Sequence, residues 1–147
     1  MGWPSEFNWR GTRDYSTLCA LRSALAVRKQ VGDEQWREYN DGLCKEVGQY
    51  YQQDRWPGSL MPGNNTYYSM VNVGPVPCNV DGGGGAGGCY SYTVGALSDH
   101  LFYEKGFSVT IYELEQGIFL RLSCQVYNYF EEYIALADTI AVFAESH

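Results

Sequence analysis

The chain has 147 residues, is 45% hydrophobic and carries a formal net charge of −7. That length suggests one domain, which at this size buries roughly 70% of its unfolded surface and folds without a metal or a disulfide. The acidic balance repels phosphate and argues against a nucleic-acid partner, and no apolar stretch approaches the ~18 residues of a membrane span.

The charge is segregated. Residues 1–55 hold 8 of the 10 Lys and Arg and 8 of the 17 Asp and Glu, so the whole −7 lies in residues 56–147 (2 − 9). Such a surface suits a basic protein partner, or simply solubility. The aromatic content is high, with 13 Tyr, 4 Trp and 6 Phe. Tyrosine joins a large apolar face to a polar tip and serves both cores and wet interfaces.

Residues 1–13 read as an irregular polar arm carrying Trp3, Phe7 and Trp9. An arm of this kind folds back on its own domain or docks on another chain. The opening MGWPSEFNWRG lacks a basic patch followed by an apolar run, and Glu6 stands where a myristoylation signal needs Ser or Thr. Folding in a cytoplasm is therefore expected.

Residues 15–31 predict a helix, capped by Asp14 or Ser16 and closed by Gly32. Leu18, Leu21 and Leu25 form one apolar stripe, and Arg28 and Lys29 suit the negative end of the helix dipole. Asp33 is expected to cap a second helix reaching about Gln53, with Trp36, Leu43, Val47 and Tyr50 on one face. The short Gly32-Asp33 junction predicts a helical hairpin or corner.

Two Pro-Gly pairs and Asn64-Asn65 then mark a loop. Residues 66–73, TYYSMVNV, predict a strand, and residues 90–94 a second. Residues 107–127 carry the clearest alternation: Phe107, Val109 and Ile111 on one run, Ile118, Leu120, Leu122, Cys124 and Val126 on the next. Leu114-Glu115-Gln116-Gly117 is the turn of an antiparallel hairpin. Asn128 with Glu131 predicts a capped final helix over 128–146, with Phe130, Ile134, Ala137, Ala141 and Ala144 on one face and Tyr133 and Ile140 beside it. The expected order is α-α-β-β-β-β-α, a single α+β domain.

Between the strands lies DGGGGAGGCYS, residues 81–91. A phosphate loop of the Walker type ends in Gly-Lys-Ser/Thr, whereas here Cys89 and Tyr90 follow Gly88, and no basic residue lies between Arg55 and Lys105. A dinucleotide loop needs a buried strand before it and a helix after it, and Pro75 and Pro77 precede this run. The run reads as a flexible spacer that can order on a partner, so Gly83, Gly85 and Tyr90 join Trp3, Phe7 and Trp9 as candidate contact residues.

The five cysteines, Cys19, Cys44, Cys78, Cys89 and Cys124, include no CxxC pair, so neither a disulfide framework nor a zinc finger is expected. Free, mostly buried thiols are the default. Cys78, Cys89 and His100 fall eleven apart, but zinc sites start from ligands separated by two to four residues. Cys89 with His100 is the best nucleophile pair, yet Asp99 adjoins His100 in sequence and is poorly placed to orient it. Neither a catalytic set nor a cofactor or metal is expected.

RGTRDYSTLCALRSALAVRKQ, followed by a second amphipathic helix and a tyrosine-rich β part, resembles the small uncharacterised proteins of tailed-bacteriophage structural modules. The resemblance covers about the first third of the chain and transfers no functional residue. It implies a virion component at the head–tail junction, tail or capsid surface, made in the host cytoplasm and acting by assembly with neighbouring subunits. The alternatives are an acidic inhibitor or immunity-type protein that blocks a basic partner, and a Cys/His-dependent enzyme.

Overall fold

A computed structural model of the chain describes residues 15–57, 69–77 and 90–147. They belong to two units, one ending at Trp36 and one running from Arg37 to His147. The described elements make an α+β fold of four helices and a three-stranded antiparallel sheet.

The first unit contains helix α1, Ser16–Val31. Its cap is Tyr15, which makes no side-chain capping bond, and Ser16 lies inside the helix; Asp14 is outside the described residues. Gly32 ends α1 at φ +95°, a conformation that costs a residue without Cβ little. Its N–H donates to the Arg28 carbonyl at 3.0 Å, and its carbonyl accepts from Trp36 N–H at 3.0 Å. Gly32 thus closes one helix and caps the next. Asp33, expected as that cap, sits instead in the first turn of α2, Asp33–Gln49, where its carboxylate pairs with Arg28 Nε.

In the second unit α2 buries Leu43, Cys44 and Val47, on the face that the spacing predicts, with Tyr50 only half-buried. The helix does not run regularly to Gln53. Residues Tyr50–Arg55 widen into a π turn, and Trp56 N–H donates back to the Tyr51 carbonyl at 2.7 Å. The extra residue in this turn goes with a fully buried Tyr51, on which Trp56 packs edge-on at 4.6 Å.

The sheet has the order β1-β3-β2, from Met70–Val73, Thr110–Leu114 and Gly117–Ser123 in chain order. The predicted hairpin is present, with Leu114 paired to Gly117 across Glu115-Gln116. Its buried row is Ile118, Leu120 and Leu122, continued by Cys124, as the alternation requires. Phe119 is also buried, on the opposite face, stacked on Tyr112 at 5.9 Å. The first strand is described from Met70; residues 66–68 lie outside the described residues.

The expected strand at 90–94 does not form: residues 90–93 are irregular and lead into a helix that begins at Val94. Thr93 Oγ1 accepts from Ala96 N–H at 3.1 Å and starts α3, Val94–Asp99, which continues as a π turn over His100–Glu104. Leu97 and Leu101, one helical turn apart, are both buried. The β-branched Thr93 and Val94 suggest extended chain, but the leucine spacing behind a threonine cap decides the outcome.

Helix α4, Phe130–Ser146, closes the unit. Its cap lies one residue later than expected: Tyr129 N–H and Asn128 Nδ2 both donate to Glu132 Oε2, at 3.1 and 3.0 Å. Asn128 Oδ1 accepts from Gln125 N–H and closes the preceding turn. The buried face is Tyr133, Leu136, Ala137, Ile140 and Phe143, rotated from the predicted row so that Ile134 and Ala141 stand at its edge.

Candidate functional site

Of the six candidate contact residues, Trp3, Phe7, Trp9, Gly83 and Gly85 lie outside the described residues, as do Cys78 and Cys89. Tyr90 is described and is half-buried. Its hydroxyl donates to the Val76 carbonyl at 2.6 Å and accepts from Ile118 N–H at 3.3 Å, so it anchors the chain to β3 rather than standing free for a partner. Burial pushes its pKa up against the opposing hydrogen bond from Ile118. His100 is held at home too, with Nδ1 3.0 Å from Glu104 Oε2 and its ring 4.8 Å from that of Phe143. Among the described residues no cluster of three or more His, Cys, Asp and Glu is arranged to hold a metal.

The feature that stands out in the first unit is α1. No residue of this helix is buried, and the predicted leucine stripe is open to water: Leu18 is 66% exposed, Leu21 52% and Leu25 57%. A helix of 16 residues is marginal in water without a packed face. Arg22 and Lys29 follow Leu18 at i+4 and i+11 and therefore share the leucine face. The helix carries three basic residues, Arg22, Arg28 and Lys29, and no acidic one. Cys19 is likewise exposed here, whereas Cys44 and Cys124, the other two described cysteines, are buried.

The second unit has the opposite sign. Residues 37–147 hold 5 Lys and Arg against 13 Asp and Glu, a balance of −8 (5 − 13). Between α2 and the start of α4 lies a groove of 380 Å³, with Tyr39, Leu43, Tyr129 and Phe130 as its apolar lining and Glu38, Glu46 and Glu131 around them. Tyr39 Oη donates to the Asn128 carbonyl at 2.7 Å, and Phe130 packs edge-on against Tyr50 at 5.5 Å, so the lining is braced from behind. At Gly42 a side-chain carbon would meet nothing within 4 Å, which keeps the α2 wall open. Sequence spacing identifies the outer face of α2 as polar but gives no sign that α4 begins beside it.

A second cleft, of 520 Å³, lies between residues 106–110, the end of β3 and the first turns of α4. Arg121, Glu132 and Asn128 face it along with Phe107 and Leu136. Arg121 donates to Thr110 Oγ1 at 3.4 Å, across the hairpin.

Behind these surfaces the core is rich in tyrosines whose pKa values burial raises. Tyr51 donates to the Tyr133 carbonyl at 2.9 Å, and Tyr133 to the Ser123 carbonyl at 2.6 Å. Desolvation pushes Tyr51 and Tyr133 well above the ordinary tyrosine value, and Tyr92 up to about 12. Cys44 and Cys124 are both fully buried; their mutual interaction pushes the Cys44 thiol up and the Cys124 thiol down.

No helix among the described residues is long and apolar enough to cross a membrane. The sequence matches no protein-family model and no curated protein.

Proposed function

We propose that this chain is an assembly subunit of a bacteriophage virion, working through protein–protein contacts with further copies of itself. The observation that carries the reading is the leucine stripe of α1, more than half exposed at each of its three positions. Leucine rows of this regularity are stable when covered. The occupant that the charges favour is the acidic groove of a neighbouring copy. There the stripe would meet Tyr39, Leu43 and Phe130, and Arg22 and Lys29 would meet Glu38, Glu46 and Glu131.

Such a contact joins two different patches. It is heterologous, and it closes into a ring or continues as a filament according to the rotation between subunits. Rings and tubes are what a head–tail or tail component forms, which agrees with the resemblance of the first third of the chain. The aromatic residues Trp3, Phe7 and Trp9 and the glycine run around Gly83 and Gly85 are proposed as further contacts with neighbouring subunits.

Light scattering across a concentration series tests the reading. A discrete ring or a concentration-driven polymer is expected, dissociating as salt rises because the contact is charge-assisted. A strict monomer at every concentration refutes self-assembly, and a captured basic partner would then establish the acidic inhibitor. Detection of the chain in purified phage particles tests the virion assignment separately.

A further inference from the structure

The cleft beside the hairpin opens where the ladder between β2 and β3 stops. The last pair of that ladder is Thr110 with Arg121. Before it, Phe107 N–H donates to the Leu101 carbonyl at 2.8 Å and draws residues 107–109 away from β3. Cys124 N–H donates to the Ser69 carbonyl, on the β1 side, so the alternation of an antiparallel ladder aims the Ser123 N–H and carbonyl toward the β2 side. There the carbonyl accepts from Tyr133 Oη at 2.6 Å, while the N–H meets no acceptor among the described residues. A backbone donor is thus left at the wall of a cleft of 520 Å³.

Two opposite charges line the same cleft without neutralising each other. Arg121 donates to Thr110 Oγ1 at 3.4 Å, a long and neutral contact. Glu132 Oε2 accepts from Tyr129 N–H and Asn128 Nδ2, which leaves Oε1 open. Neither residue joins an ion pair among the described residues, whereas Lys45 and Arg55 each have a carboxylate partner. The rest of the lining is largely apolar: Phe107 and Val109 are half-buried, and Leu122 and Leu136 are buried. The volume lies within the ~300–1,000 Å³ of small-molecule sites, which join an apolar lining to a few polar groups.

We propose that this cleft binds a small zwitterion, an amino acid or short peptide with an apolar side chain. Its carboxylate meets Arg121 and the Ser123 N–H, its ammonium meets Glu132 Oε1, and its side chain covers Phe107 and Val109. The charge of the unit selects this class. Residues 37–147 carry −8 (5 − 13), a field that repels a simple anion before it reaches Arg121. A simple cation leaves Arg121 and the Ser123 N–H without a partner. A zwitterion has no net charge and answers both walls. This inference does not depend on self-assembly.

Equilibrium dialysis of the full chain against radiolabelled L-phenylalanine reads binding whatever the state of assembly. Saturable binding at one site per chain is expected, with a Kd on the order of a millimolar. As competitors, N-acetyl-L-phenylalanine, which lacks the ammonium, and L-phenylalaninamide, which lacks the carboxylate, should each be about tenfold weaker than L-phenylalanine. Arg121→Gln and Glu132→Gln should each lower the affinity for L-phenylalanine about tenfold, and glutamine at 132 still serves the helix cap. In Arg121→Gln the amide should then compete as well as the amino acid, and in Glu132→Gln the acetyl derivative should. Phenylalanyl-leucine competing better than L-phenylalanine assigns the site to peptides, and competing worse assigns it to free amino acids; the site stands in both cases. The proposal is overturned if no saturable binding is seen, if the three phenylalanine probes compete equally, or if either variant binds L-phenylalanine with unchanged affinity.

Discussion

Replacing Leu18, Leu21 and Leu25 together by alanine separates the role of α1 in assembly from any role in the fold. Alanine is the strongest helix former, so the helix itself is retained. Full burial of a leucine is worth ~1.5–3 kcal/mol. With 66%, 52% and 57% of these residues exposed, a partner has a little more than half of that left to gain at each. The expected loss is about 1 kcal/mol per position and ~3 kcal/mol in all, on the order of a hundredfold in association. Stability of the separate chain should change by less than ~0.5 kcal/mol, since an exposed site gives up little on truncation. Light scattering reads the first quantity and thermal unfolding of the diluted, dissociated protein reads the second. Unchanged assembly together with a fall in melting temperature of ~10 °C would refute the reasoning, because the stripe would then be part of the chain's own core.

Charge reversal at Glu38 and Glu131 to lysine should weaken assembly, and adding Arg22→Glu and Lys29→Glu should restore part of it, read as the concentration at which scattering mass rises. Tyr51→Phe should cost ~1 kcal/mol in urea unfolding, because its hydroxyl bonds the Tyr133 carbonyl, whereas Tyr92→Phe should be neutral or stabilising, because the buried Tyr92 hydroxyl has no partner among the described residues. Gly117→Ala should destabilise by ~2 kcal/mol or more, since at φ +132° its side chain would come within 2.8 Å of Pro75 Cβ and Tyr90 Oη. Gly42→Ala, inside a helix with open space, should instead stabilise by ~0.5–1 kcal/mol. Raising the pH should unfold the protein between about 10 and 12. Tyr92 titrates near 12 when folded against an ordinary 10, so its contribution is complete below 10 and is lost as pH rises through 12; Tyr51 and Tyr133 act with the same sign. Helical circular dichroism that stays constant through pH 12 would contradict this.

Where burial follows a simple period, the fold was legible. The row Ile118, Leu120, Leu122 and Cys124 alternates because successive side chains of a strand point to opposite faces and this face lies on the core, and Leu43 with Val47 is one helical turn of α2 facing the core. The misses have physical causes. At residues 90–94 the β-branched pair Thr93 and Val94 favours extended chain, but the leucines beyond it, Leu97 and Leu101, are buried one helical turn apart and the packing obeys them. The π turn at Tyr50–Arg55 inserts a residue that no periodicity anticipates. In α4 small alanines suggested a face that the larger Leu136 and Phe143 override. The leucine stripe was legible as a stripe, but its exposure was not, because amphipathicity shows that a face needs cover and not whether the cover lies in the same chain. The groove was illegible for a related reason: Glu38 and Glu46 on α2 meet Glu131 only through tertiary structure.

The segregation of charge links the two surfaces. The described helix with the uncovered apolar face carries +3, and the unit containing the groove carries −8. If both surfaces had the same sign, a leucine stripe approaching a groove on another copy would meet repulsion before it met apolar area. With opposite signs the long-range field favours head-to-tail approach and disfavours pairing of two α1 helices, whose like charges would be brought together. Isologous dimers are the commonest oligomers, and they terminate growth. A chain that must add copies in sequence benefits from suppressing that outcome. In the proposed assembly the basic helix would do so at the encounter stage, before any apolar surface is buried. The charge-reversal series therefore reports more than affinity. With Arg22 and Lys29 made acidic alone, the helix and the groove rim would both be negative and growth should stop at the monomer, while the fourfold reversal, which leaves Glu46 alone of the three groove carboxylates beside two introduced lysines, should restore part of the head-to-tail growth.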